Sequence, residues 1–151
     1  MPERPTEAHH RGLERLYRSA PTNRIYANLA IDVDEGRCAI AIDVSGDLHH
    51  AAGAMHGSHY FKLLDDTAFF AANSVVPDVF VLTAQFSVQL LRPVVAGRIR
   101  AEGTLTRPGR SLLFAESRLF GPDGRVIGTG QGTFARSELR LAELPGYASE
   151  P

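Results

Sequence analysis

The chain has 151 residues, 44% of them hydrophobic and 22% charged, with a formal net charge of -1 at pH 7. That length suits one domain with a real core, and the near-neutral balance excludes recruitment of nucleic acid or an anionic membrane by a global field. A single cysteine, Cys38, excludes an intrachain disulfide and a cysteine-based zinc site, and it suits a reducing cytoplasm, the expected location. The opening residues are polar, with no apolar stretch of a signal peptide, and no apolar run is long enough to span a bilayer.

In chain order, residues 1–8 carry two prolines and charges and are expected to fray. Residues 9–19 place Leu13, Leu16 and Tyr17 on one face of a short helix, which Ala20-Pro21 ends because a residue before proline avoids the helical region. Residues 24–34 and 37–45 read as strands joined by a turn at Asp34-Glu35-Gly36, with Ile40, Ile42 and Val44 alternating in the second. A loop at 46–55 holds His49 and His50. Residues 55–76 then run apolar almost all round, from Tyr60 to Val76, as a buried helix does, until Pro77-Asp78 breaks the run. Four strands follow, at 79–92, 97–106, 111–120 and 125–136. The first alternates Thr83, Gln85, Ser87 and Gln89 against Ala84, Phe86, Val88 and Leu90. Turns at Pro108-Gly109 and Gly121-Pro122-Asp123-Gly124 make this half of the sheet antiparallel. Residues 138–151 read as a loose tail. The expectation is an α+β arrangement, one long central helix with an antiparallel sheet of about six strands curled around it. The domain proper spans 25–137, with 1–24 and 138–151 flanking it. Open sheet edges favour self-association.

Two adjacent carboxylates, Asp65 and Asp66, fall within the buried helix. An unpaired buried charge is costly, so each is functional or is paired with Lys62, three and four residues earlier. Asp66 lies about 100° round the helix from Asp65 and suits a structural or supporting role. His49, His50, His56 and His59 raise a metal reading, but their spacing fits no standard ligand set, and no metal is expected. The chain has no Gly-x-Ser-x-Gly elbow and no Walker-type phosphate loop.

Several stretches together carry a likeness. His56-Gly57-Ser58 opens the helix, and Asp65 follows nine residues after the histidine. Thr67-Ala68-Phe69 and Asn73-Ser74 lie downstream, then the corner Leu91-Arg92-Pro93-Val94 with Gly97, and the closing run from Gly128 to Phe134. Over residues 25–136 the chain resembles the hotdog-fold acyl-CoA thioesterases, in the branch of the phenylacetate-pathway (PaaI-like) enzymes. The resemblance implies a hotdog fold and hydrolysis of an acyl- or aryl-CoA to free acid and CoA, without a cofactor. It also implies a homodimer or homotetramer with the site at the subunit interface. Asp65 is then general base or nucleophile, and the Gly57 N–H is the oxyanion donor at the positive end of the helix. These two lie more than two turns apart, too far to touch one carbonyl, so the helix start of one subunit would face the carboxylate of the other. Thr83 stands at the family's hydroxyl position and holds the water; His56 braces the helix start.

The chain departs from the family at two positions. Ser58 replaces the second glycine of the motif, and His50 stands where the family has an asparagine that orients the thioester or a water; histidine can donate a hydrogen bond but can also carry charge. Coenzyme A carries phosphates, so Arg92, Arg107, Arg110 and Arg136, together with Ser58, are candidate substrate-binding residues. His59 suits the helix surface or the entrance. Tyr60, Phe61, Phe69 and Phe80 suit either an aryl or medium acyl group or plain core. Two other functions compete with hydrolysis: a non-catalytic acyl-CoA sensor or carrier, and a hotdog dehydratase.

Overall fold

In the computed structural model, residues 5–148 are described. The elements are α1 (Glu7–Ser19), β1 (Ala27–Asp34), β2 (Arg37–Val44), α2 (Gly57–Asn73), β3 (Val79–Leu90), β4 (Gly97–Pro108), β5 (Leu112–Phe120) and β6 (Val126–Arg140). The strands form one antiparallel sheet in the order β1-β2-β4-β5-β6-β3. The sheet wraps the apolar α2, whose Leu63, Leu64, Ala68, Ala71 and Ala72 are buried. Two contacts seat the helix. At Gly103 of β4 a Cβ would lie 2.2 Å from the Thr67 carbonyl oxygen, so only glycine lets the helix backbone rest on that strand. From β5, the buried Ser117 hydroxyl donates to the Leu64 carbonyl at 2.8 Å.

The two sheet edges differ. Along β1, α1 supplies partners for the outward backbone groups: Glu14 accepts from the Val33 N–H at 2.8 Å, Arg11 donates to the Val33 carbonyl, and Arg18 donates to the Ile31 carbonyl. The edge of β3 has no such cover among the described residues, and Leu82 and Leu90 on it are 48% and 50% exposed.

Three local expectations are corrected. The first helix starts at Glu7, because the Thr6 side chain caps it by accepting from the His9 N–H. Residues 138–148 are not a loose tail: β6 continues to Arg140, a turn of 3-10 helix follows at Leu141–Glu143, and Leu141 is buried. Tyr147 then lies across α1, against Gly12, and bonds His9, so this segment belongs to the folded unit. Residues 1–4 and 149–151 lie outside the described residues. Finally, the strict alternation read along β3 breaks at a bulge. Thr83 pairs with Phe134 and Gln85 with Thr133, so one extra residue turns Thr83 to the helix side of the sheet.

Among the described residues, no helix is long and apolar enough to cross a membrane.

Candidate active site

Asp65 lies on the α2 face toward β3, half-buried. The Thr83 hydroxyl, turned inward by the bulge, donates to Asp65 Oδ1 at 2.9 Å. Burial pushes the Asp65 carboxyl up to about 6; the Thr83 hydrogen bond opposes this, the neighbouring Asp66 charge adds to it, and Lys62 opposes it. A carboxylate tuned to that value is ionised at neutral pH and still basic enough to take a proton.

Lys62 does not pair with Asp65. Its ammonium bonds Asp66, four residues on, and the Tyr17 hydroxyl of α1 donates to the same Asp66 oxygen at 2.7 Å. Burial, then Asp66, raises the Tyr17 phenol well above its ordinary value, so it stays protonated as a donor. The two carboxylates therefore have separate surroundings. Asp66 ties α1 to α2, while Asp65 has a single hydroxyl partner and faces a cleft.

At the other end of α2, the His56 side chain caps the helix, its Nδ1 accepting from the Ser58 N–H at 3.0 Å with the Ser58 hydroxyl 2.8 Å away. The Gly57 N–H has no bonded acceptor among the described residues. A Cβ on Gly57 would meet Leu90 Cδ1 at 2.9 Å, so close packing on β3 also calls for glycine here. His50 stands in the preceding turn, its Nδ1 accepting from the Ala52 N–H, with its ring centroid 6.4 Å from that of His56. The Arg92 loop lies at this end too, held by the Tyr60 hydroxyl donating to the Arg92 carbonyl.

The predicted residues thus fall into two groups. Gly57, His56, Ser58, His50 and Arg92 gather at the helix start. Asp65 and Thr83 lie eight residues and more along, about 12 Å at the rise of a helix. Arg107 and Arg110 are not near Arg92: they flank the β4–β5 turn at the opposite sheet end, where the Arg136 guanidinium donates to the Arg110 carbonyl at 2.9 Å. Among the described residues none of these arginines has a carboxylate in salt-bridge reach. His59 bonds the Tyr26 hydroxyl at 3.0 Å, and burial, then His56 and Lys62, lowers its ring below the ordinary histidine value. Tyr60 is core, and Phe61 packs edge-on against Phe86 beside the open β3 edge. No three histidine, cysteine or carboxylate side chains converge as a metal set among the described residues.

Sequence reasoning missed the roles of two residues that build the site, although Asn73 was among those that carry the likeness. Tyr17 was legible only as the apolar face of a helix; nothing marked it as the anchor of Asp66. Asn73, fully buried, donates to the Val76 and Val79 carbonyls and accepts from the Val81 N–H at 2.9 Å. It thereby sets where β3 begins, and so which residue of β3 meets Asp65.

The family profile described as Thioesterase superfamily matches residues 52–127, from the turn before α2 into β6. The chain belongs to the Thioesterase superfamily, and its sheet wrapped on one helix is the hotdog fold of PaaI-like type. It is similar to the Escherichia coli PaaI protein from the phenylacetic acid degradation operon, at 17% identity and a TM-score of 0.80, covering 90% of this chain and 98% of that one. A thioesterase family protein from Silicibacter pomeroyi is 25% identical with a TM-score of 0.74, covering 83% and 97%. A Haemophilus influenzae thioesterase is 17% identical with a TM-score of 0.73, covering 89% and 92%. A comparison with curated proteins finds no significant match.

Proposed function

We propose that the protein hydrolyses acyl-CoA thioesters, with Asp65 as general base. The observation that carries this reading is the environment of Asp65: a half-buried carboxylate raised to about 6, held by one hydroxyl and facing a cleft. Asp65 takes a proton from a water that Thr83 helps to hold. The water oxygen attacks the thioester carbon, and the oxyanion is stabilised by a free N–H at a helix start. Collapse breaks the C–S bond, and the proton passes from Asp65 to the departing CoA thiolate, leaving free acid and CoA.

Gly57 and Asp65 of one chain are too far apart to serve one carbonyl, so the reading requires a second copy. The open β3 edge, with Leu82, Leu90 and Phe61 exposed beside it, supports a two-fold pairing there, because α1 already covers the β1 edge. The proposed pairing is antiparallel about that edge, so that the helix start of the second copy supplies the N–H for a carbonyl held beside Asp65. It also brings the Arg92 end of one chain toward the Arg107–Arg110–Arg136 end of the other, a basic rim suited to the CoA phosphates.

A free-thiol assay on short, medium, aryl and long acyl-CoAs tests this reading. Thiol release is expected. Its absence from every ester, with CoA-ester binding seen by calorimetry, would replace hydrolysis by a sensor or carrier role. Hydration of crotonyl-CoA without thiol release would indicate a dehydratase.

A further inference from the structure

Asp65 and Thr83 form the polar end of a cleft of about 350 Å³ that lies within one chain. Its remaining walls are mostly apolar. Phe69 and Phe70 come from α2, Phe80 from β3, and Leu16 and Tyr17 from α1, with the turn after α1 closing the side. The rings form one cluster: Phe69 stacks tilted on Phe80 at 4.9 Å and on Phe70 at 5.1 Å, and Tyr17 meets Phe70 edge-on at 5.3 Å. Lys62 is the one cation among the described lining residues, and Asp66 already neutralises it.

We infer that this cleft receives the acyl group of the thioester, and that Leu16 and Tyr17 of α1, with Phe80, limit it to compact, uncharged apolar acyl groups. This inference rests on the thioesterase reading of Asp65. The cleft touches the proposed base directly, so a carbonyl held beside Asp65 leaves its acyl substituent at the aromatic wall. A cavity of about 150 Å³ accepts benzene, so a cleft of about 350 Å³ has room for a ring with a short arm or a medium-length chain against its aromatic wall. The α1 side of the wall is anchored at two points. Tyr17 is tied to Asp66, and the N-terminal turn of α1 is tied in turn by His9, which bridges the Asn73 carbonyl at 2.9 Å and the Tyr147 hydroxyl at 2.7 Å. With Lys62 occupied, no free cation among the described lining residues meets a second carboxylate, so dicarboxylic acyl groups are disfavoured.

The test is thiol release from acetyl-, hexanoyl-, benzoyl-, succinyl- and hexadecanoyl-CoA by the wild type, Leu16→Trp and Phe80→Ala, with melting curves for each. The wild type should favour hexanoyl- and benzoyl-CoA over hexadecanoyl- and succinyl-CoA by at least about tenfold in kcat/KM. Leu16→Trp should lower the hexanoyl-to-acetyl ratio by at least about tenfold, and Phe80→Ala should raise the hexadecanoyl-to-hexanoyl ratio. Active, folded variants with the wild-type size profile would overturn the inference while leaving Asp65 as base. A wild type that favours hexadecanoyl- or succinyl-CoA would overturn it as well. No release from any ester by the wild type would instead overturn the thioesterase reading, and this inference with it.

Discussion

At the scale of single residues, the account turns on the unequal treatment of two neighbouring carboxylates. Asp66 is paired twice; Asp65 is left with one hydroxyl and a carboxyl raised to about 6. The raised value has a stability consequence whose sign is fixed. A carboxyl that is easier to protonate in the fold than in the unfolded chain favours the fold below its unfolded value, and that contribution is lost as pH rises through about 6. Asp65→Asn, which removes the buried charge, should therefore melt higher than the wild type at about pH 8 and lose that advantage at about pH 4. Thermal melts at the two pH values check it. For the reaction, kcat/KM should rise with pH through about 6 as Asp65 ionises. Thr83 favours the ionised form, so Thr83→Ala should move that rise to higher pH, with Thr83→Ser restoring it. A pH–rate profile of the three proteins reads the shift directly.

At the scale of elements, the site depends on how α2 and β3 are brought into register. Asn73 binds three backbone groups at the turn between them, so Asn73→Ala leaves the buried Val81 N–H without its acceptor. We expect a loss of about 1–3 kcal/mol in denaturant-measured stability, with lower kcat/KM as Thr83 loses its place opposite Asp65. The elements themselves were largely legible. Apolar residues on all sides marked α2, and Pro-Gly and Gly-Pro-Asp-Gly turns marked the meander. The β3 bulge was not, because period-two alternation reads the same whether or not one residue is extra; only the partner strand reveals that Thr83 faces Phe134. Nor was the fold of residues 138–148, since Pro145 and Gly146 signal a turn equally in a free tail and in one that packs Tyr147 onto Gly12. Of the site, the spacing from His56 to Asp65 was readable, whereas the Tyr17–Asp66 bond joins residues far apart in the chain and leaves no local trace.

At the scale of the whole molecule, α1 covers one edge of the sheet and leaves the other open. If β3 is where two copies meet and complete one another's site, Leu82→Lys combined with Leu90→Lys should convert the protein to monomers in sedimentation velocity and abolish turnover in the same samples. Full activity in a monomer would remove the need for a partner's helix start. The same helix, outside the matched family region at 52–127, covers one edge of the sheet and forms one wall of the cleft.

The most direct test of the central claim is thiol release from an accepted acyl-CoA at about pH 8 by wild type and Asp65→Asn, with melting temperatures taken on the same preparations. The account predicts a fall in kcat of at least about 100-fold in a variant that is folded and melts no lower than the wild type. An Asp65→Asn protein that keeps activity within a few-fold of the wild type would contradict it and place the base elsewhere.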